Sequence, residues 1–171
     1  MNTRKLTMSS LLLAVGLALH YMIPGILGSM KPDTLLSMMF IAILICDDYK
    51  STLAIGIAAG ILTAITTTFP GGQFPNIIDK FITAHVVFLL IKLLKKVQPT
   101  VKVVIIAILG TLTSGTVFLS SALLIAPLPA PFTALFIAVV LPAVIANTVL
   151  SLIVYGVVNM TIKSTSYNTN R

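Results

Sequence analysis

Charged side chains are scarce in this sequence, so the few that interrupt its apolar runs stand out as groups able to do chemistry. Two acid–base neighbours, Lys31 with Asp33 and Asp79 with Lys80, fall near the ends of apolar segments. Each is locally neutral. Each also offers an ammonium and a carboxylate, the complement of an amino-acid zwitterion. For Lys31 and Asp33 the alternative is a solvated pair marking a membrane boundary. Asp79 and Lys80 sit in a richer setting. On a helix beginning near Asn76, residues Asn76, Asp79, Lys80 and Thr83 fall within an arc of roughly 100°. Asp79 lies near the helix start, where the dipole favours an anion. The preceding run Thr66-Thr67-Thr68-Phe69-Pro70-Gly71-Gly72-Gln73 adds hydroxyls, an amide and two glycines that permit close backbone approach. A structural re-entrant turn uses Pro and Gly too, but the added charges and amides favour a ligand site. The candidate binding residues are therefore Lys31, Asp33, Thr67, Gly71, Gly72, Gln73, Asn76, Asp79 and Lys80.

Other polar positions suggest less. Asn147, Ser151 and Tyr155 recur at i, i+4, i+8, a stripe that in lipid more often joins helices than binds ligands. Asn147 is the member retained as a binding candidate. Thr113, Ser114 and Thr116 read as helix-packing residues. His20 and His85 have no second ligand at metal spacing, and Cys46, the single cysteine, allows no internal disulfide. Thr113-Ser114-Gly115 lacks the glycine that a rhomboid-type protease motif requires. There is no Gly-rich phosphate loop of Walker type, so ATP hydrolysis by this chain is not expected, nor any bound cofactor or metal. An enzyme is not expected.

The elements that must position these groups are membrane helices. Of 171 residues, 57% are hydrophobic and 9% charged, and the mean hydropathy is +1.09. Ordinary soluble domains have about 45–50% and about 25%. A soluble enzyme is excluded on that ground. The net charge of +7 does not imply nucleic acid, because the basic residues are scattered between apolar runs. An N-terminal signal peptide is also rejected, since apolar segments recur along the whole chain.

The expected fold is all-α, a single integral membrane domain over residues 1–171 with six spans. They run about Thr7–Leu27, Thr34–Cys46, Ser51–Phe69, Asn76–Leu94, Val101–Ala126 and Phe132–Thr161. The second is short: it begins nearer Met30, crosses a thinned region, or is shielded by its neighbours. With both termini cytoplasmic, nine Lys and Arg residues fall inside (Arg4, Lys5, Lys50, Lys92, Lys95, Lys96, Lys102, Lys163, Arg171) and two outside (Lys31, Lys80). This bias supports six spans in that orientation. A distortion is expected at Pro142 in the sixth.

The first span carries Ser10, Ala14 and Ala18 at four-residue spacing, a face that lets another helix approach closely. Packing within the chain is its default use. Together with the length, the six spans and Ala14-Val15-Gly16-Leu17-Ala18, this face makes the chain resemble the substrate-binding S component of an energy-coupling factor (ECF) transporter. A closer resemblance is to bacterial tryptophan transporters of the TrpP type. It is carried by His20-Tyr21-Met22-Ile23-Pro24-Gly25, by Met30-Lys31-Pro32-Asp33, and by Thr66–Asn76 followed by Asp79-Lys80.

The resemblance implies a multi-pass protein of the bacterial cell membrane that takes up L-tryptophan. It also implies docking through Ser10, Ala14 and Ala18 onto a transmembrane T component, with two partner ATPases supplying the energy. In that reading Lys80 or Lys31 meets the substrate carboxylate and Asp79 or Asp33 its ammonium. Gln73, Asn76 or Asn147 accepts the indole N–H, and Phe69 and Phe74 stack on the ring. The alternatives are a stand-alone proton-coupled carrier using Asp79 or His20, an S component for another metabolite such as a vitamin, and a sensing subunit that binds without transport.

Overall fold

The structure, a computed structural model, describes residues 3–23, 33–125 and 128–169, as backbone alone from residue 162. Six spans are present. They are α1 (Thr3–Met22), α2 (Thr34–Cys46), α3 (Tyr49–Thr66), α4 (Gln73–Leu93), α5 (Pro99–Ile125) and a sixth built of α6 (Phe132–Leu135), a π-helical turn (Phe136–Val140) and α7 (Leu141–Thr169). Five of the six are long and apolar enough to cross a membrane. The predicted ends of the first and fifth spans, Leu27 and Ala126, lie outside the described residues.

α2 resolves the puzzle of its own length. Its 13 residues rise roughly 20 Å at 1.5 Å each, short of a bilayer core of about 30 Å. Every residue from Thr34 to Ile43 is buried, and the helix packs against α1, α3, α4, α5 and α7. A helix shielded by its neighbours has no lipid thickness to match. Its hydrophobic side chains form the core of the bundle: Leu35, Leu36, Met39, Phe40 and Ile43 meet Ala59, Val87 and Ile106 from the helices around it.

Two aspartates set the ends of this helix. Asp33 caps the N-terminus, its Oδ1 accepting the Leu36 N–H at 3.0 Å. Asp47 ends it in the left-handed conformation, φ 53°, with its N–H bonded to the Ile43 carbonyl. Asp48 then caps α3 through the Ser51 N–H at 2.9 Å. α3 starts two residues before the predicted Ser51 because Asp48, not Lys50, is its boundary.

α3 and α4 lie unusually close. A Cβ at Gly60 would stand 3.1 Å from the Ile77 Cα, and one at Gly56 would stand 2.7 Å from the Ala84 Cβ. Small residues one turn apart thus bring the two backbones together. In the sixth span the distortion expected at Pro142 takes the form of the π turn just before it. Pro142 has no N–H to continue the ladder and its ring crowds the carbonyl four residues back, so a widened turn accommodates it.

α1 presents two distinct faces. Ser9, Leu13, Gly16 and His20 are buried against the bundle, whereas Ser10, Ala14 and Ala18 are exposed on the outer side. The four-residue face is therefore turned away from the described bundle.

Candidate functional site

Three charged side chains from two helices converge at the end of the bundle where α2 begins. Lys80, in the second turn of α4, places Nζ 2.6 Å from Asp33 Oδ2 and pairs equally with Asp79 Oδ2. The Thr83 hydroxyl donates to Asp79 Oδ1 at 3.0 Å, and Ser114 on α5 faces the same carboxylate. Lys80 and Asp79 are each 1% exposed, while Asp33 retains 20%. This corrects the placement of Lys80 among the external loop charges: it is an interior residue of α4. The predicted stripe Asn76, Asp79, Lys80 and Thr83 is buried along its whole length. Ionisable groups at such depth persist only when compensated, and here they compensate one another.

A cavity opens beside this cluster, with about 680 Å³ of empty space including the solvent at its mouth. A few convergent polar groups facing an apolar wall are the usual lining of a small-molecule site. Its polar side is formed by His20, Asp33, Thr67, Asn76, Asp79 and Lys80. Its far wall is apolar and comes from Phe69 with α5, the π turn and α7, including Phe118, Leu119, Val139, Val140 and Ala143. Phe69 and Phe118 meet edge to face at 5.5 Å between ring centres. Asn147 closes the wall, its amide nitrogen donating to Thr111 Oγ1 at 3.3 Å.

The α3–α4 connection shapes the mouth. Gly71 takes φ 72°, a left-handed conformation that glycine adopts without strain. A Cβ on Gly72 would stand 2.7 Å from Thr67 Oγ1 and 3.0 Å from the Phe69 carbonyl oxygen, so the turn closes only around glycine. Asn76 fastens it from the helix side, its amide nitrogen donating to the Gly72 carbonyl at 2.8 Å. Each asparagine in the cavity gives one amide N–H to the protein and carries a second N–H and the acceptor Oδ1 besides.

His20 has a fixed tautomeric requirement. Thr66 Oγ1 gives its single hydrogen to the Leu62 carbonyl at 2.8 Å, so at 2.9 Å from His20 Nδ1 it accepts, and Nδ1 carries the proton.

Of the predicted binding residues, the fold brings Asp33, Thr67, Asn76, Asp79, Lys80 and Asn147 to this cavity. Gly71 and Gly72 shape the turn without lining it. Gln73 points outward on the exposed face of α4 shared with Ile77 and Phe81. Lys31 lies outside the described residues. Phe69 is on the wall, but Phe74 is 69% exposed and faces away. Ser114, read from the sequence as a packing residue, is in the wall. Its neighbours Thr113, half-buried, and Thr116, exposed, bond back to the Leu109 and Leu112 carbonyls. Thr68, also in the wall, belongs to the hydroxyl run singled out in the sequence, whereas Thr111 and Phe118 carried no signal of their own, each sitting in an apolar run that membrane helices use everywhere.

A family model described as "Tryptophan transporter TrpP" matches residues 2–163. A protein of Clostridium acetobutylicum, named "Probable tryptophan transport protein", is 49% identical over 164 residues, covering 95% of this chain and 96% of its own length. One of the same name from Bacillus subtilis is 47% identical over 167 residues, covering 98% and 97%. A third, from Clostridium perfringens, is 42% identical over 175 residues, covering 96% of each. No solved structure matches significantly.

Proposed function

The chain belongs to the tryptophan transporter TrpP family, a family of multi-pass membrane transport proteins and not enzymes, and from that premise we propose that it takes L-tryptophan into the cell across the bacterial cell membrane. The observation that carries this reading is the cavity itself: a buried Asp33–Lys80–Asp79 cluster facing an apolar, partly aromatic wall. A zwitterionic head meets both signs of charge on one side. The indole meets Phe69, Phe118 and the π turn on the other, and Asn76 or Asn147 Oδ1 accepts its N–H.

The energising step is read as that of an ECF S component. No sequence feature for ATP hydrolysis occurs in the chain, and the exposed Ser10–Ala14–Ala18 face is the docking surface for a T component driven by two ATPases. The chain itself binds no cofactor in this reading. The outward exposure of that face favours docking over internal packing. Replacing Ala18 with Leu then abolishes uptake in cells and leaves tryptophan affinity unchanged. Loss of binding would instead assign the face to internal structure.

The test of the substrate is calorimetric titration of the detergent-solubilised protein with L-tryptophan, using phenylalanine, tyrosine, indole and riboflavin as competitors. Selective, saturable tryptophan binding is the expected result, and absence of binding by folded protein overturns it. The buried ion cluster also supports a second reading, a stand-alone carrier coupled to protons. Tryptophan uptake by this chain alone in liposomes under a proton gradient would replace the ECF reading with that one.

A further inference from the structure

The charged cluster is unbalanced in composition: two carboxylates, Asp33 and Asp79, share the single ammonium of Lys80. Their Oδ2 atoms both bond the same Nζ, so two like charges are held close together in an interior with little solvent. Asp33 Oδ1 also accepts the Leu36 N–H, and Asp79 Oδ1 the Thr83 hydroxyl. Lys80 Nζ already serves two carboxylates, which leaves at most one of its three N–H donors for a ligand carboxylate.

The two acids are not equivalent toward the cavity. Asp79 is closed off at 1% exposure, while Asp33 keeps 20% and stands on the cavity wall. Its fixed place at the start of α2 holds it there. His20, on the same wall, gives its Nδ1–H to Thr66 and lies close enough to Asp33 to act on it electrostatically.

We infer that the site is anchored by amine recognition: a ligand ammonium docks on the cavity-facing carboxylate of Asp33, and the ligand carboxylate is secondary. The occupant class is therefore an aryl-ethylamine, with or without an α-carboxylate, its ring directed to the Phe69–Phe118 wall. This inference rests on the tryptophan reading for the identity of the ring and goes beyond it in ranking the two ends of the amino-acid head. Charge-assisted hydrogen bonds are the stronger kind, so the difference is large enough to measure.

The experiment is a competition series on the full-length protein in detergent, with L-tryptophan, tryptamine (amine only) and indole-3-propionate (carboxylate only). Tryptamine is expected to bind within about tenfold of tryptophan, and indole-3-propionate at least about 100-fold more weakly, a gap of roughly 2.7 kcal/mol at 1.4 kcal/mol per tenfold. Asp33→Asn is expected to weaken tryptamine by tenfold or more while indole-3-propionate holds or improves. Indole-3-propionate binding as well as tryptamine overturns the inference. So does binding of tryptophan with neither analogue, because the amine alone would then fail as an anchor. If tryptamine binds and tryptophan does not, amine anchoring stands and the tryptophan reading falls. If nothing binds, both fall.

Discussion

The molecule contains two lysine–aspartate associations with the same 2.6 Å contact and opposite surroundings. At the α2 start, Lys80 meets Asp33 and Asp79 with its own side chain 1% exposed. At the other end of the same helix, Lys92 of α4 meets Asp47 at 31% and 50% exposure and also donates to the Asp47 carbonyl at 2.9 Å. Contact distance does not separate them; burial does. An exposed pair contributes at most about 1 kcal/mol, because water competes for both partners. A buried cluster carries a desolvation cost of several kcal/mol per ion and persists only where a fold is held to it by other gains or where it has work to do. The outer cluster borders the cavity, and the inner pair borders a connection between helices.

Substitution of the two lysines should break the comparison most sharply. Lys80→Met leaves two buried carboxylates without their shared partner. The expected outcome is loss of tryptophan affinity by more than about 100-fold, with destabilisation of about 3–5 kcal/mol, the usual cost of breaking a buried pair. Lys92→Met is expected to leave affinity unchanged and to shift stability by less than about 1 kcal/mol. Titration calorimetry and thermal unfolding in detergent measure both. Because Lys80→Met threatens folding itself, the double variant Lys80→Met with Asp79→Asn is the control: it should recover stability and, with Asp33 intact, tryptamine binding. Equal effects at Lys80 and Lys92 would remove the distinction drawn from burial.

A second contrast lies between two faces of small residues. Gly56 and Gly60 on α3 are filled by α4, whereas Ser10, Ala14 and Ala18 on α1 are exposed among the described residues. Gly60→Leu must push against the Ile77 backbone, and overpacking of this kind costs about 1–3 kcal/mol. It should also weaken tryptophan binding, because Lys80 sits one turn beyond Ile77 on the displaced helix. Ala18→Leu has no such neighbour and should lower neither stability nor affinity. If thermal unfolding shows Ala18→Leu to be the more damaging of the two, the outward assignment of the α1 face is wrong.

These contrasts also show what the sequence could and could not convey. The bounds of α2 were readable because Asp33 and Asp47 bracket an apolar run and the same residues cap the helix. The buried stripe on α4 was readable because helical periodicity is local. The partner of Asp33 was not: its sequence neighbour Lys31 suggested one pair, whereas Lys80 reaches it across two helices. Nor did the six-span reading find the α5 contribution, since Ser114 and Phe118 resemble ordinary packing residues until the fold sets them opposite Asp79 and Phe69. Gln73 misled for a related reason. It belonged to a polar run taken as a loop, but α4 already begins there and turns it outward with Ile77 and Phe81. Local pattern marks which residues are polar; only tertiary packing decides which of them share a space.

The smallest effect expected is at the cap of α3, and it sharpens the comparison by carrying a carboxylate that is charged, only partly buried and remote from the cavity. Asp48 accepts hydrogen bonds from the Ser51 hydroxyl and backbone N–H, and these hold its carboxyl below the ordinary carboxylate range. A folded-state value lowered in this way means that the cap contributes fully once the pH is above the unfolded value of about 3.9 and is lost as pH falls through the folded one. Asp48→Ala should therefore cost about 1 kcal/mol near neutral pH, typical of a lost N-cap, and the gap to the parent should close as the pH falls through the folded-state value and the parent's carboxylate takes up its proton. Tryptophan affinity at neutral pH should be the same in both. Thermal unfolding across that pH range checks the first expectation and calorimetry the second. A change in affinity as large as that of an outer-cluster variant would mean that the two ends of the bundle are energetically joined, and that burial alone does not explain why one set of aspartates serves the ligand and the other the helices.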